Sequence, residues 1–136
     1  MKRFILISMV FICLVFIFIM SSENGSESMS TTIKVSNVIN IGSFYMIRKS
    51  AHFIEFFILE VFILLMISSF KIIDFKCFIL SILFCLLYAI SDEVHQLFVI
   101  NRSASIIDVL IDYTGSFFGS IFFMLFYYIY NEGFVK

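Results

Sequence analysis

Four long apolar runs alternate with short polar stretches along the chain, the pattern of a polytopic membrane protein whose runs cross the bilayer as helices. The first, Phe4 to Met20, follows Met1-Lys2-Arg3 and carries no charge. Its apolar core exceeds the roughly 7–15 residues of a secretory signal, and no small-x-small cleavage site precedes Ser21 and Ser22. Residues 1–20 are therefore expected to remain as an uncleaved signal anchor. Residues 21–47 form an extracytoplasmic polar loop: Ser21 to Thr32 has no periodicity, and Val35, Val38 and Ile39 within Ile33 to Met46 predict a short interfacial helix.

The second run, Ala51 to Phe70, is introduced by Arg48-Lys49 and interrupted by His52, Glu55 and Glu60. A tight charged turn from Lys71 to Lys76 leads to the third, apolar from Cys77 through Ile90. That run meets Ser91-Asp92-Glu93-Val94-His95-Gln96 and resumes as Leu97 to Ile100. The fourth, Ser105 to Tyr130, has Asp108 and Asp112 near its start and Tyr127, Tyr128 and Tyr130 at its end, an aromatic cluster suited to a membrane interface. The expected fold is an all-α integral membrane bundle of four transmembrane helices, with residues 131–136 as a cytoplasmic tail.

Composition agrees. The 136 residues are 62% hydrophobic and 14% charged, with 20 phenylalanines and a mean hydropathy of +1.09, too little polar surface to coat a soluble globule. A net charge of -1 offers no basic field for nucleic acid. Cys13, Cys77 and Cys85 all lie inside apolar runs, without metal-ligand spacing, and are expected to be packing residues. No cofactor and no resident metal are expected; the one partner implied outright is the lipid bilayer, and the oligomeric state stays open.

Basic residues set the orientation. Lys2-Arg3 and the Lys71/Lys76 turn both favour the cytoplasm, which predicts a multi-pass protein of the cell membrane with both termini inside. The unusual polar groups then collect at the outer end: Arg48, Lys49, His52 and Glu55 on the second helix, Asp92, Glu93, His95 and Gln96 on the third, Arg102 in the loop, Asp108 and Asp112 on the fourth. Ionisable groups at membrane depth are costly, and normally face a cavity or one another. Lys49, His52, Phe56 and Glu60 share one helical stripe. Asp108, Asp112, Gly115 and Gly119 share another, and the glycines, echoed by Ser116 and Ser120, let a neighbouring backbone approach. The acids are thus expected to point into the bundle.

Three blocks, Arg48-Lys49-Ser50-Ala51-His52-Phe53, Asp92-Glu93-Val94-His95-Gln96, and Arg102 followed by Asp108 and Gly115-x-x-x-Gly119, resemble the VanZ-like family of small bacterial membrane proteins. The resemblance runs from about Arg48 to Gly119, in the family's order and spacing, and makes residues 48–130 a VanZ-like domain of three transmembrane helices. It implies a cell-envelope role and protection against glycopeptide-type antibiotics, teicoplanin being the drug tied to the name-giving member. The family's polar positions match Lys49, His52, Asp92, Glu93, Gln96, Arg102 and Asp108. Ile100-Asn101 stands where the family usually has Pro-Gly.

Several functions fit such a cluster. A structural network would pair Lys49 and Arg102 with Asp92, Glu93 and Asp108. An enzyme acting on a lipid-linked cell-wall precursor would use His52, His95, Asp92, Glu93 or Asp108 in acid–base roles, with Lys49 and Arg102 clamping phosphate or carboxylate. No serine or cysteine sits beside a histidine as a nucleophile would. The pairs His52-x-x-Glu55 and Asp92-x-x-His95 could together ligate a metal, although the nearby cations oppose it. A binding pocket would hold the head group of an envelope lipid-linked precursor, or a lipoglycopeptide, while phenylalanines line its tail. The outward-facing pocket that binds or modifies an envelope component is the expected function.

Overall fold

The computed structural model describes residues 2–26, 30, 33 and 44–133. Among them are four helices and no strand: α1 (Lys2–Ser22), α2 (Phe44–Ser68), α3 (Phe75–Gln96) and α4 (Ile106–Gly133). The shortest has 21 residues, which at about 1.5 Å per residue crosses a hydrocarbon core of about 30 Å. All four are long and apolar enough to span a membrane.

The helices outrun the apolar stretches that announce them. α1 takes in Lys2, Arg3, Ser21 and Ser22, and α2 starts ahead of Arg48-Lys49. α3 carries the whole Asp92-to-Gln96 block and stops there. The amides of Leu97, Phe98 and Val99 bond back to Val94, His95 and Gln96, so Leu97 to Ile100 is turn, not resumed helix. α4 passes Tyr130 and reaches Gly133, so the segment expected as a tail from 131 begins as helix. For α1 and α3 the cause is the same: backbone groups at membrane depth must be bonded internally, so a helix continues through polar residues, such as Ser21 and Asp92, that find side-chain partners. The interfacial helix expected over 33–46 lies largely outside the described residues, its last three opening α2.

Successive helices run antiparallel. The Arg3 Nε donates to the Ser69 carbonyl at 2.9 Å and its guanidinium lies 4.9 Å from the Phe70 ring, which puts the start of α1 beside the end of α2. At the same end Asp74 caps α3, accepting from the Cys77 amide at 2.9 Å. Hydrogen bonds from the Cys77 thiol and amide hold the Asp74 carboxyl below its ordinary range. The cap thus contributes at and above the usual carboxylate pKa, and is lost as pH falls through the depressed one.

The most extensive interface joins α2 and α4, and glycine permits it. A Cβ at Gly115 would land on the Phe53 carbonyl oxygen, and one at Gly119 would sit 2.7 Å from that of Phe57. Phe53 also packs on Phe118, and Phe57 on Phe122, along this seam. α1 lies against α2 and α3, on the side away from α4, with the Tyr88 hydroxyl bonded to the Leu14 carbonyl at 2.6 Å. Val10, Ile17, Phe56, Leu59, Ile63, Cys85 and Ala89 form the core, while phenylalanines such as Phe84, Phe118 and Phe126 point outward as a lipid-facing surface would.

Candidate functional site

At the end opposite Arg3, polar side chains from all four helices meet. One chain of bonds ties three of them: Arg48 Nη2 on α2 donates to Gln96 Oε1 at 3.3 Å, and Gln96 Nε2 on α3 donates to Asp92 Oδ2 at 2.9 Å. The same Asp92 oxygen accepts from the Ser21 hydroxyl of α1 at 2.7 Å. A second set fixes α4: Lys49 Nζ pairs with Asp108, and Glu93 Oε2 accepts from the Ser105 amide at 2.7 Å, just ahead of the first turn. His52 Nδ1 lies 3.6 Å from Asp112 Oδ1 and 4.0 Å from Glu55 Oε2. His52, Asp92, Glu93, Gln96, Asp108 and Asp112 are all buried, Gln96 and Asp112 completely.

Arg102 closes this end from the loop. Its Nε and Nη2 donate to the carbonyls of Glu23 and Met20, both at 3.1 Å, answering backbone acceptors that the end of α1 leaves free. Burial, and then neighbouring Arg48, push its guanidinium below the ordinary value, yet arginine stays charged. The loop reaches this geometry through Asn101, whose φ of 59° lies in the left-handed region that glycine favours and asparagine tolerates. Asparagine here therefore does the conformational work that glycine commonly does at such a φ. Asn101→Gly is expected to leave stability within about 0.5 kcal/mol of the parent, and Asn101→Val to lower it by roughly 1–2 kcal/mol. Thermal unfolding in detergent micelles checks both.

Part of the cluster is satisfied and part is not. Arg48 Nε, His52 Nδ1, Glu93 Oε1 and both carboxylate oxygens of Asp112 are buried without a hydrogen-bond partner. Each such atom costs about 1–3 kcal/mol when nothing answers it. They offer several acceptors and few donors. Five acids (Glu55, Asp92, Glu93, Asp108, Asp112) outnumber three obligate cations (Arg48, Lys49, Arg102), so the arrangement suits hydroxyl, amide or amine groups better than a phosphate alone. Beside it, between α2 and α4, a cleft of about 480 Å³ is walled by Met46, Phe53, Ile54 and Ile111, with Lys49, Ser50 and Thr114.

A profile of the VanZ/LLP1 family matches residues 4–127, nearly the whole chain. The chain belongs to the VanZ/LLP1 family. No curated protein and no solved structure matches it. The match takes in α1, which the resemblance over Arg48 to Gly119 had left out.

In this VanZ/LLP1 chain Lys49, His52, Asp92, Glu93, Gln96 and Asp108 share one end of the bundle, as the sequence predicts, while Arg102 holds the rim through backbone carbonyls. Ser21, Arg48, Glu55, Asp112 and Ser105 join them. Asp112 was marked by its helical spacing from Asp108. Ser21 carried only the hint of closing an apolar run, and Glu55 reaches His52 from the next turn although it lies off the Lys49 stripe. His95 turns away, its Nε2 3.0 Å from the Ser22 hydroxyl and its ring 4.5 Å from Phe18. That separates it from His52 and Glu55, so the two pairs considered as joint metal ligands do not converge. Among the described residues no group of three or more His, Cys, Asp or Glu side chains could hold a metal ion.

Proposed function

We propose that this VanZ/LLP1 membrane protein acts in the cell envelope by holding the polar head of an envelope component, a lipid-linked cell-wall precursor or a lipoglycopeptide, in the pocket where its helices converge. The observation that carries this is the group of buried atoms without a hydrogen bond on Arg48, His52, Glu93 and Asp112, with His52 Nδ1 and Asp112 Oδ1 facing one another at 3.6 Å. Sugar hydroxyls and amides of a bound head group would answer these atoms. In this reading the satisfied contacts of Lys49, Asp92, Gln96, Arg102 and Asp108 hold the frame, and the unsatisfied atoms meet the ligand. The adjacent apolar cleft gives an acyl or prenyl tail a path into the bilayer.

The pocket faces outward if the chain follows the basic residues, because Lys2, Arg3, Lys71 and Lys76 gather at the other end and favour the cytoplasm. Cells producing the protein are expected to tolerate more teicoplanin than vector controls at matched membrane abundance. Equal tolerance would remove the antibiotic from the proposal and leave the cell-wall precursor to be tested by direct binding. An acid–base enzyme is the second reading, favoured by His52 standing between Asp112 and Glu55. It requires a changed precursor among extracted lipids, whereas binding alone leaves the precursor unchanged.

A further inference from the structure

A second polar centre lies in the middle of the bundle, away from the pocket. Glu60 of α2 is completely buried, and its Oε1 accepts from the hydroxyls of Ser81 on α3 and Ser120 on α4, both at 2.6 Å. Its Oε2 lies 3.2 Å from the Cys85 thiol of α3. Close packing of helices in lipid needs small residues, but it does not need a carboxyl group. Two hydroxyls on Oε1 leave Oε2 as the place for an acidic proton. When Glu60 is ionised, the Cys85 S–H donates to Oε2; when it is protonated, Oε2–H donates to the sulfur. Reversing that one hydrogen bond accommodates both states without moving a helix.

Other buried polar side chains lie beyond Glu60 in both directions, and water between them would complete a path for protons. Toward the pocket, Ser116 of α4 is completely buried and bonds to the Asp112 carbonyl at 3.1 Å; the Asp112 carboxylate faces His52. Toward the other end, Ser81 is followed one turn away by the buried Cys77, whose thiol donates to Asp74 at 2.9 Å, and Asp74 is exposed. The buried face of α3 is Cys77, Ser81, Cys85, Ala89, Asp92, Glu93 and Gln96, with alanine its one hydrocarbon side chain.

We propose that this line carries protons across the membrane with Glu60 as the central relay. A proton taken from one aqueous side binds Glu60 Oε2, and the same group releases it toward the other, so no oxidant or co-reactant is involved. The direction follows the proton gradient and the membrane potential. The line meets the head-group site at Asp112 and His52, so variants of Glu60, which leave that end intact, test the relay by itself.

Purified protein in liposomes loaded with a pH-sensitive dye tests it, with a potassium gradient and valinomycin supplying the potential. The wild type is expected to acidify the lumen several-fold faster than protein-free liposomes. Glu60→Gln, a shape-matched replica of the protonated state that keeps both serine contacts, should return the rate to the protein-free level. Glu60→Asp should restore part of it. Monodisperse elution of each variant before reconstitution, with circular dichroism matching the wild type, separates lost transport from lost folding. If Glu60→Gln fails that check, Ser120→Ala takes its place and should slow flux severalfold. Wild-type flux equal to that of empty liposomes, or a folded Glu60→Gln as fast as the wild type, would overturn the proposal.

Discussion

Gly115→Leu should leave almost no folded protein in the membrane. The Cβ of any residue at 115 meets the Phe53 carbonyl oxygen, a backbone atom inside α2 that no rotamer change can move aside. The two helices would have to separate along their most extensive interface, breaking the Phe53–Phe118 and Phe57–Phe122 packing beyond it. Overpacking of this kind costs about 1–3 kcal/mol even where side chains can adjust, and more where backbone blocks them. Without a hydrophobic force between helices in lipid, close packing is what α2 and α4 have. Gly119→Ala, whose Cβ meets Phe57 less closely, should be milder. Membrane abundance and elution profile of the tagged variants give the order: parent, then Gly119→Ala, then Gly115→Leu.

Lys49→Met should be nearly as damaging, for an electrostatic reason. Lys49 pairs with Asp108, and both are buried enough that neither is freely hydrated. Removing one partner of a buried pair strands the other charge, at a cost of about 3–5 kcal/mol. The loss should be largely reversed in the double variant Lys49→Met/Asp108→Leu, because removing both charges also removes their desolvation penalty. Unfolding temperatures of the single and double variants check this. Failure of the second change to rescue would mean that Lys49 stabilises the fold mainly through something other than Asp108.

Much of this structure was legible in the sequence because a bilayer simplifies the problem. Apolar runs long enough to cross it must become helices, and charges inside them must converge. That logic located the four spans and the polar end, with Lys49, His52, Asp92, Glu93, Gln96 and Asp108 in it. What it missed was tertiary. Ser21 and Ser22 look like the first loop residues, yet α1 continues through them because Asp92 and His95 answer their hydroxyls. The nearness of Glu55 to His52 was legible from their i, i+3 spacing, whereas the turn of His95 toward Ser22 and Phe18 was not. The loop before Arg102 turns without a glycine, since Asn101 adopts the positive φ itself. Glu60 was evident as an oddity, but its serine and cysteine partners depend on the register of three helices.

The central claim is that the unpartnered end of the bundle is a ligand site and not scaffolding, and Asp112→Asn tests it most directly. Neither Asp112 oxygen has a hydrogen-bond partner, and His52 Nδ1 faces Oδ1 at 3.6 Å, so the amide keeps the side chain's shape while turning one acceptor into a donor. The measurement is the affinity of teicoplanin and of a lipid-linked cell-wall precursor for the wild type and the variant in lipid nanodiscs, with unfolding temperature recorded for both. The expected result is an unfolding temperature at or above the parent's, and affinity for at least one of the two weakened roughly tenfold, the worth of one hydrogen bond. Unchanged affinity for both, or no binding of either by the wild type, would contradict a ligand site at Asp112 and leave the polar end as a structural network.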